Sequence, residues 1–200
     1  WCLSDGTTGM RHQTLAVAAI MKWDQSKNFH DVVVTPHPIL RLMPHLGRWL
    51  PNLPLVRGIA TDANNKTSMP LTELFLSDNR SNIIITCGRR MAGISIALKT
   101  RAARQKIALK TIHLQDPRLD PAFFDTLIVP QHDPVRGDNV IVTKGALNRL
   151  DRAQIKKSAA QLPQSWQEVN RPRVVVLIGG DNRRYKISAK MTANLARQLN

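Results

Sequence analysis

The stretch that decides the fold runs from Asn82 to Arg101 and reads NIIITCGRRMAGISIALKTR. Its first six residues include three consecutive isoleucines, which is typical of a strand buried on both faces of a parallel sheet. Gly88 ends this strand, and the residues from Arg89 onward carry apolar side chains at helical spacing. A buried strand, a glycine and a helix in succession predict one unit of an α/β fold.

The same alternation of short apolar runs and helical stretches extends in both directions along the chain. The other predicted strands are Trp1–Ser4, Asp31–Thr35, Ile107–Leu114, Thr126–Val129 and Val140–Thr143. The other predicted helices are Gln13–Trp23, Leu71–Leu76 and Arg152–Leu162, and Pro51–Pro70, with its three prolines, is predicted to be loop. We therefore expect an α/β protein with a doubly wound parallel sheet of the Rossmann type.

The C-terminal part of the sequence predicts the start of a second domain of the same kind. Pro163–Pro172 is polar and has the composition of a linker, and Val174–Ile178 is an apolar strand pattern followed by two glycines. We expect a first domain over residues 1–165 and the truncated start of a second over residues 171–200. Because one βα unit cannot bury its own faces, we expect this piece to pack on the first domain or to be loosely held.

The composition narrows the class of protein and of partner. The chain has 200 residues, 42% of them hydrophobic, which excludes a disordered composition. No run of 18 apolar residues is present, so no transmembrane helix is expected. The formal net charge of +15 predicts an anionic partner, which could be nucleic acid, an acidic membrane surface or a phosphorylated small molecule.

Two cysteines bear on the cellular compartment. Cys2 and Cys87 lie in apolar strand-like runs. Two lone cysteines in a chain of this size are typical of buried, reduced thiols in a cytosolic protein, and a structural disulfide is the alternative. We expect a cytoplasmic protein, with peripheral association at the inner face of the membrane as a further expectation.

Polar and glycine residues follow five of the predicted strands. The strand ends are Asp5–Gly9, Gly88–Arg90, Gln115–Arg118, Gln131–Asp133 and Thr143–Gly145. Parallel strands joined by crossover helices place all their carboxyl ends at one edge of the sheet, where ligands bind. The sequence therefore predicts a functional site at that edge, although turns are polar in most proteins.

Two of these strand ends have the chemistry of anion binding. In Asp5–Gly9, glycines between a strand and a helix let backbone N–H groups approach an anion, although a simple tight turn has the same composition. Arg89 and Arg90 open a helix, where each like charge opposes the helix dipole by about 0.3–1 kcal/mol. A bound anion would offset this cost, and a pair of solvated arginines is the alternative.

Two further strand ends supply candidates for acid–base catalysis. His132 could act as a general base, oriented by Asp133 or by Asp116. A lone histidine in a loop is more often structural. No cluster of His, Cys and Asp has metal-ligand spacing, so we expect no metal site and no cofactor.

Two other stretches predict binding to anions. Gly179 and Gly180 end a predicted strand, with Arg183 and Arg184 following, and this arrangement suits the diphosphate of a nucleotide as well as a plain turn. Ile39–Leu50 is basic and amphipathic, as in helices that lie on anionic membranes, although core packing explains its apolar residues equally well.

The ordered set of motifs resembles one known family. The motifs are WCLSDG at Trp1–Gly6, Gly9 with Gln13, Gly88-Arg89-Arg90, Gln115-Asp116-Pro117-Arg118, His132-Asp133, Asn139-Val140 with Thr143, Gly145-Ala146-Leu147-Asn148-Arg149, and Leu177-Ile178-Gly179-Gly180. Together they resemble the bacterial branch of the mitochondrial-fission "elongated mitochondria" family. The resemblance implies the GT-B glycosyltransferase architecture, in which the first Rossmann-like domain binds an acceptor and the second a nucleotide-sugar.

The resemblance also implies roles for individual residues. The acceptor side would comprise Asp5, Gly6, Gly9, Gln13, Gly88, Arg89, Arg90, Gln115, Arg118, Thr143 and Gly145. The catalytic residues would be His132, Asp116 and Asp133, with His132 or Asp116 as the base that activates an acceptor hydroxyl. The donor diphosphate would bind at Gly179, Gly180, Arg183 and Arg184, without a metal.

Three functions are consistent with these features. The first is a glycosyltransferase that transfers a sugar from a nucleotide-sugar to a phosphorylated or lipid-linked acceptor at the cytoplasmic membrane face. The second is a non-catalytic scaffold, as the fission role of the plant relatives suggests. The third is nucleic-acid binding, against which stand an aromatic content of 4% and the lack of a recognition motif.

Overall fold

Within the described residues, eight strands form one sheet. The strands are β1 (Cys2–Ser4), β2 (Asp31–Val33), β3 (Ala60–Asp62), β4 (Ser68–Met69), β5 (Asn82–Cys87), β6 (Leu109–Leu114), β7 (Thr126–Pro130) and β8 (Val140–Thr143). Their order across the sheet is β4-β3-β2-β1-β5-β6-β7-β8. All neighbouring pairs from β2 to β8 are parallel, whereas β3 and β4 are antiparallel additions beside β2.

The computed structural model describes residues 1–49, 60–62, 68–69, 82–168, 170, 172, 174–178 and 186–199. The chain divides into two units, Trp1–Leu150 and Asp151–Asn200. The helices of the first unit are α1 (Thr8–Ile20), α2 (Pro38–Leu42) and α3 (Arg89–Arg104), with 3₁₀ turns at Trp23–Gln25, Pro44–Arg48 and Pro121–Phe123. Those of the second are α4 (Arg152–Ala160), α5 (Gln164–Gln167) and α6 (Ala189–Leu199).

The expected α/β fold with a doubly wound parallel sheet is confirmed. Counted among the parallel strands alone, the order is 2-1-3-4-5-6, so the direction of winding reverses between β1 and β5. A reversal of this kind places the crossover helices on opposite faces, because each parallel crossover is right-handed. The core accordingly has two layers of apolar side chains, one on each face of the sheet.

Alternate residues of the central strands supply these two layers. On the α1 face, Cys2, Ile85 and Cys87 pack with Val17 and Ala18 of the helix. On the α3 face, the buried set is Leu3, Val32, Val34, Leu40, Ile84, Met91, Ile94, Ala97 and Leu98. The three consecutive isoleucines of β5 are thus divided between the two faces, which confirms that this strand is buried on both sides.

Two glycines allow the segment after β2 to pack directly on α3. A Cβ atom added to Gly93 would come within 2.5 Å of the carbonyl oxygen of Leu40, and one added to Gly47 would come within 2.6 Å of the carbonyl oxygen of Gly93. Real Cβ atoms do not approach backbone atoms this closely. Residues 38–48 are therefore held against α3 by backbone contact, as well as by the buried side chain of Leu40.

Several predicted boundaries need correction. The stretch Pro51–Pro70 was expected to be loop throughout, but it contains β3 and β4, which pair in antiparallel fashion and cover the edge of β2. Helix α1 begins at Thr8 rather than Gln13, because the Asp5–Gly6 turn leads directly into it. The rest of Pro51–Pro70 outside β3 and β4, and the predicted helix Leu71–Leu76, lie outside the described residues.

The second unit differs from the predicted pattern at two points. The predicted strand Val174–Ile178 is not paired in a sheet, and its side chains are 46–89% exposed. A strand needs a hydrogen-bonded neighbour, and none of the described residues pairs with Val174–Ile178. The predicted linker contains the short helix α5. The division of the chain into domains at residues 165 and 171 stays a prediction.

The backbone contact at Gly93 predicts a large effect of a small substitution. We expect Gly93→Ala to lower the free energy of unfolding by about 1–3 kcal/mol, since the added methyl group must displace the Leu40 backbone. The matched control is Gly9→Ala in α1, where a Cβ atom would meet nothing within 4 Å. The control should be neutral or stabilising by up to about 1 kcal/mol. Denaturant unfolding of both variants measures the difference, and equal effects would contradict the packing argument.

Candidate functional site

The carboxyl ends of the parallel strands meet at one edge of the sheet, as the sequence predicts. The segments that follow β1, β5, β6, β7 and β8 there are Asp5–Gly9, Gly88–Arg90, Gln115–Arg118, Gln131–Asp133 and Thr143–Gly145. The point where the winding reverses, between β1 and β5, separates the first two of these segments. In open α/β sheets this is where a crevice forms and ligands bind.

Asp5 and Arg90 face each other across this crevice. The Nη1 atom of Arg90 lies 3.3 Å from the Oδ2 atom of Asp5, and the backbone N–H of Thr7 donates to Oδ1 over 3.1 Å. Burial alone would raise the pKa of Asp5, but the hydrogen bonds from Thr7 and the pairing with Arg90 outweigh it and lower the pKa below its ordinary value. Asp5 is therefore ionised and pairs with one of the two arginines.

The glycines of the crevice differ in how strongly the backbone requires them. Gly6 and Gly88 have φ angles of +81° and +80°, which an L side chain rarely adopts. Gly9 lies within α1 with open space around it, so its backbone conformation does not require glycine. Gln13 is half-buried in the second turn of α1, outside the turn itself.

A cavity of about 600 Å³ lies beside the crevice, at the ends of β6 and β7. Its lining residues are Gln115, Asp116, Arg118, Pro130, His132, Asp133, Pro134 and Ala146. All three predicted catalytic residues, together with Gln115 and Arg118, thus surround one space. Thr143 and Gly145 are not among the lining residues. The Thr143 hydroxyl donates to the carbonyl oxygen of Gly145 over 2.8 Å and lies 3.3 Å from that of Val129.

Gln115 connects the cavity with the crevice. Its Oε1 atom lies 3.8 Å from the position that a Cβ atom on Gly88 would occupy. Gln115 also has a φ angle of +68°, and Arg118 has one of +56°. Left-handed conformations at non-glycine residues are uncommon and tend to occur at binding sites. The turn after β6 therefore holds its polar side chains in positions that a relaxed turn would not provide.

The two cavity carboxylates are engaged by the backbone. Oδ1 of Asp116 accepts from the N–H of Arg118 over 2.7 Å, and Oδ2 of Asp133 accepts from the N–H of Asp116 over 3.1 Å. His132 is different, since its side chain is 75% exposed and its Nε2 atom lies 3.9 Å from Oδ1 of Asp133. That distance is too long for a hydrogen bond. The imidazole is free to meet a ligand, but its neighbours do not orient it.

Sequence reasoning missed Arg136, which braces the His132 loop. Its guanidinium donates to the carbonyl oxygens of Gln131, Asp133 and Val135 over 3.2, 2.5 and 2.6 Å. These bonds fix the shape of the segment that carries His132. The signal in the sequence was an arginine four residues after His132 and two residues after Pro134.

Sequence reasoning also missed His113, which is fully buried in β6 beneath α3. Its Nδ1 atom lies 2.7 Å from the hydroxyl of Thr86, and its ring stacks on Phe124 with centroids 4.6 Å apart. Its Nε2 atom has no hydrogen-bond partner. Burial lowers the pKa of His113 to about 3, so the imidazole is neutral at physiological pH.

Cys2 and Cys87 are buried and unpaired, which confirms the expectation of free thiols. Burial raises the pKa of Cys2 to about 11 and that of Cys87 to about 12. Neither thiol is therefore a nucleophile at neutral pH, although Cys87 ends β5 beside the crevice.

The sequence also raised the questions of a donor site, a metal site and a membrane-spanning helix. The predicted donor residues Gly179, Gly180, Arg183 and Arg184 lie outside the described residues. Among the side chains that are described, no group of three or more His, Cys, Asp or Glu residues could hold a metal ion. None of the described helices has the length and apolar character needed to cross a bilayer.

The family model for Mitochondrial fission ELM1 matches residues 8–200. The chain belongs to this family. One relative is the mitochondrial fission protein ELM1 of Arabidopsis thaliana, which is 28% identical over 140 residues, or 58% of this chain and 31% of the relative. Another is an uncharacterized protein of Rickettsia prowazekii, 22% identical over 232 aligned positions that cover 100% of this chain and 59% of the relative.

The ELM1-family resemblance drawn from the motifs is thus confirmed. The chain spans less than two thirds of the length of either relative. No solved structure matches the chain. Membership in the ELM1 family leaves the reaction open, since fold and family do not fix function.

The lowered pKa of His113 predicts a dependence of stability on pH. Between pH 6.5 and about pH 3 the unfolded chain binds a proton at His113 that the folded chain does not. Stability should therefore fall as the pH is lowered through this window, by up to about 1.4 kcal/mol per pH unit from this one group. Denaturant unfolding at several pH values from 6.5 to 4 gives the change in the free energy of unfolding per pH unit. We expect this change to be smaller in His113→Gln than in wild type, by up to the same amount. Glutamine retains a polar partner for Thr86.

The matched control for this experiment is His12→Gln, which removes an exposed histidine from α1. We expect the control to keep the wild-type slope. Equal slopes in wild type and His113→Gln would contradict the assignment of His113 as the buried neutral group.

Proposed function

We propose that the chain is the acceptor-side part of a glycosyltransferase of the GT-B type, acting on a phosphorylated or lipid-linked acceptor. The observation that carries the proposal is the position of the site: a crevice at the winding reversal, bordered by Arg89 and Arg90, next to a cavity that contains His132. A phosphate and a nearby hydroxyl of one acceptor molecule could occupy the two places at once.

The crevice supplies the donors that a phosphate needs. Arg89 and Arg90 open α3, and Arg90 is only partly neutralised by Asp5. The start of α1 adds backbone N–H groups directly after the turn at Gly6. Asp5 would repel a phosphate that approached it closely, so the anion would lie toward Arg89.

The cavity supplies the group that could activate an acceptor hydroxyl. The side chain of His132 faces solvent and makes no hydrogen bond to the backbone among the described residues, whereas Asp116 and Asp133 already accept hydrogen bonds from backbone N–H groups. His132 is therefore the better candidate for the base. Gly179, Gly180, Arg183 and Arg184 remain the proposed donor-diphosphate residues, which would need no metal.

A second function is a non-catalytic scaffold that keeps the fold. Two observations favour it: the Arabidopsis relative is named for mitochondrial fission, and the imidazole of His132 is not oriented by a hydrogen bond. A scaffold would retain the turn-forming carboxylates of Asp116 and Asp133 and would not need His132.

The phosphate site is tested with inorganic pyrophosphate as the probe. Pyrophosphate at 100 times its dissociation constant should stabilise the protein by about 2.7 kcal/mol, measured as a rise in Tm. Arg89→Ala with Arg90→Ala should abolish this stabilisation while preserving the fold. The matched control is Arg104→Ala with Lys106→Ala, which removes the same charge at the other end of α3. Equal loss in both double variants would mean that only net charge attracts the probe.

The assignment of the base is tested in the full-length protein with a nucleotide-sugar donor and a phosphorylated acceptor. We expect His132→Ala to lower the transfer rate by about 10²–10⁴ and to leave donor affinity nearly unchanged. The control is Arg136→Lys, which loosens the loop but keeps the imidazole. It should lower the transfer rate less than His132→Ala does. Transfer at the wild-type rate by His132→Ala would remove this residue from the mechanism, and a full-length protein that binds no nucleotide would favour the scaffold.

A further inference from the structure

The segment after β2 exposes a group of large apolar side chains, here termed the α2 surface. It comprises Ile39, Leu42, Met43 and Trp49 together with Arg41 and Arg48. Leu42 is 76% exposed and Trp49 is 69% exposed. Side chains of this size cost free energy when they face water, so a cluster of them marks an interaction surface.

The α2 surface belongs to a segment whose other side is packed against α3. Its opposite side carries the buried residues Leu40, Pro44 and Gly47, and the close approach of Gly47 and Gly93 fixes the segment on α3. Pro44 divides the segment into α2 and a 3₁₀ turn over Pro44–Arg48. Within the part of the chain that the structure describes, the apolar residues of the α2 surface are exposed while the other side of the same segment is packed.

The charge of the α2 surface selects the partner. No acidic residue occurs between Asp31 and Asp62, and Arg41 and Arg48 lie among the exposed apolar residues. The guanidinium carbon of Arg48 lies 5.6 Å from the centre of the Trp49 ring. Tryptophan beside arginine, with leucine and methionine, is the combination that suits the boundary between lipid headgroups and acyl chains. A second copy of this chain is a poor partner because both copies carry a net charge of +15.

The α2 surface lies near the edge of the sheet that carries the candidate site. Leu40 and Gly47 contact α3 at Gly93, four residues from its start at Arg89. At 1.5 Å per residue, this places the contact about 6 Å along the axis of α3 from the crevice. A surface to which this segment bound would therefore lie close to the ligand-binding edge.

We propose that the α2 surface docks the protein on an anionic lipid bilayer. Leu42 and Trp49 enter the boundary between headgroups and acyl chains, and Arg41 and Arg48 pair with lipid phosphates. This inference goes beyond the proposed function and does not depend on it, because a scaffold could use the same surface.

The test is co-sedimentation of the full-length protein with vesicles of phosphatidylcholine containing 30% phosphatidylglycerol, against vesicles of phosphatidylcholine alone. We expect binding to the anionic vesicles that weakens as salt is raised, and weak binding to the neutral ones. Leu42→Asp with Trp49→Asp should raise the lipid concentration for half-maximal binding at least tenfold. Arg41→Gln and Arg48→Gln should each raise it about fivefold.

The matched control is Ile20→Asp with Met21→Asp, which removes two exposed apolar side chains from the end of α1 and changes the charge equally. The control should bind within about twofold of wild type. If both double variants lose binding to anionic vesicles equally, the loss comes from the change in net charge alone, and the proposal is overturned. Equal binding to neutral and anionic vesicles would overturn the assignment of an anionic bilayer, and no binding to either would overturn the proposal and point to a protein partner.

Tryptophan fluorescence tests insertion separately from attraction. Anionic vesicles should shift the emission of the wild-type protein to shorter wavelength, and Trp49→Phe should lose most of that shift while retaining binding. A full shift in Trp49→Phe would place insertion elsewhere, at Trp1, Trp23 or Trp166, and would contradict the assignment of Trp49.

Discussion

Strand β1 forms parallel ladders with β2 on one side and β5 on the other, and the rest of the first unit follows from this double pairing. Cys2 pairs with both Asp31 and Ile85, so the central strand has no free edge. Since parallel crossovers are right-handed, winding outward in both directions requires helices on both faces of the sheet. The same reversal leaves Asp5–Gly9 and Gly88–Arg90 as separate walls of a crevice.

The apolar side chains on the two faces of the sheet are buried in different ways. On the α1 face, small and medium side chains such as Val17 and Ala18 fill the space above the strands. On the other face α3 is itself covered, and the covering segment comes close enough that Gly47 and Gly93 touch backbone to backbone. This second layer buries nearly the whole N-terminal part of α3. Among the described residues, the outer side of the covering segment remains exposed, with Leu42 and Trp49 on it.

The sequence predicts best those elements whose signal is local. The β5–α3 unit and the strands β6, β7 and β8 were found because their apolar runs are bounded by glycine or by polar residues. The hairpin β3–β4 was missed because its strands have two or three residues, and their pairing with β2 is not visible in local periodicity. The apolar run Val174–Ile178 predicted a strand that the structure does not have, because an apolar run forms a strand only beside a pairing partner and none of the described residues pairs with it.

The candidate site was predictable in position and less so in detail. Its position follows from topology, which gathers the strand ends whatever their residues. Its detail depends on bonds between side chains and backbone that no spacing rule gives, such as the three carbonyl oxygens that Arg136 holds or the left-handed backbone at Gln115. His113 was missed for a related reason, since a histidine in a strand pattern gives no indication of whether it faces water or Phe124.

These bonds also decide which residues can distinguish an enzyme from a scaffold. Asp116 and Asp133 shape the turns after β6 and β7, and a protein with no catalytic activity would need them equally. Asp5 likewise closes the turn before α1 through Thr7. His132 has no such structural bond among the described residues, and its nearest charged neighbour is 3.9 Å away. Its presence in the cavity is therefore not explained by folding, and among the three predicted catalytic residues it is the one whose substitution separates the two functions.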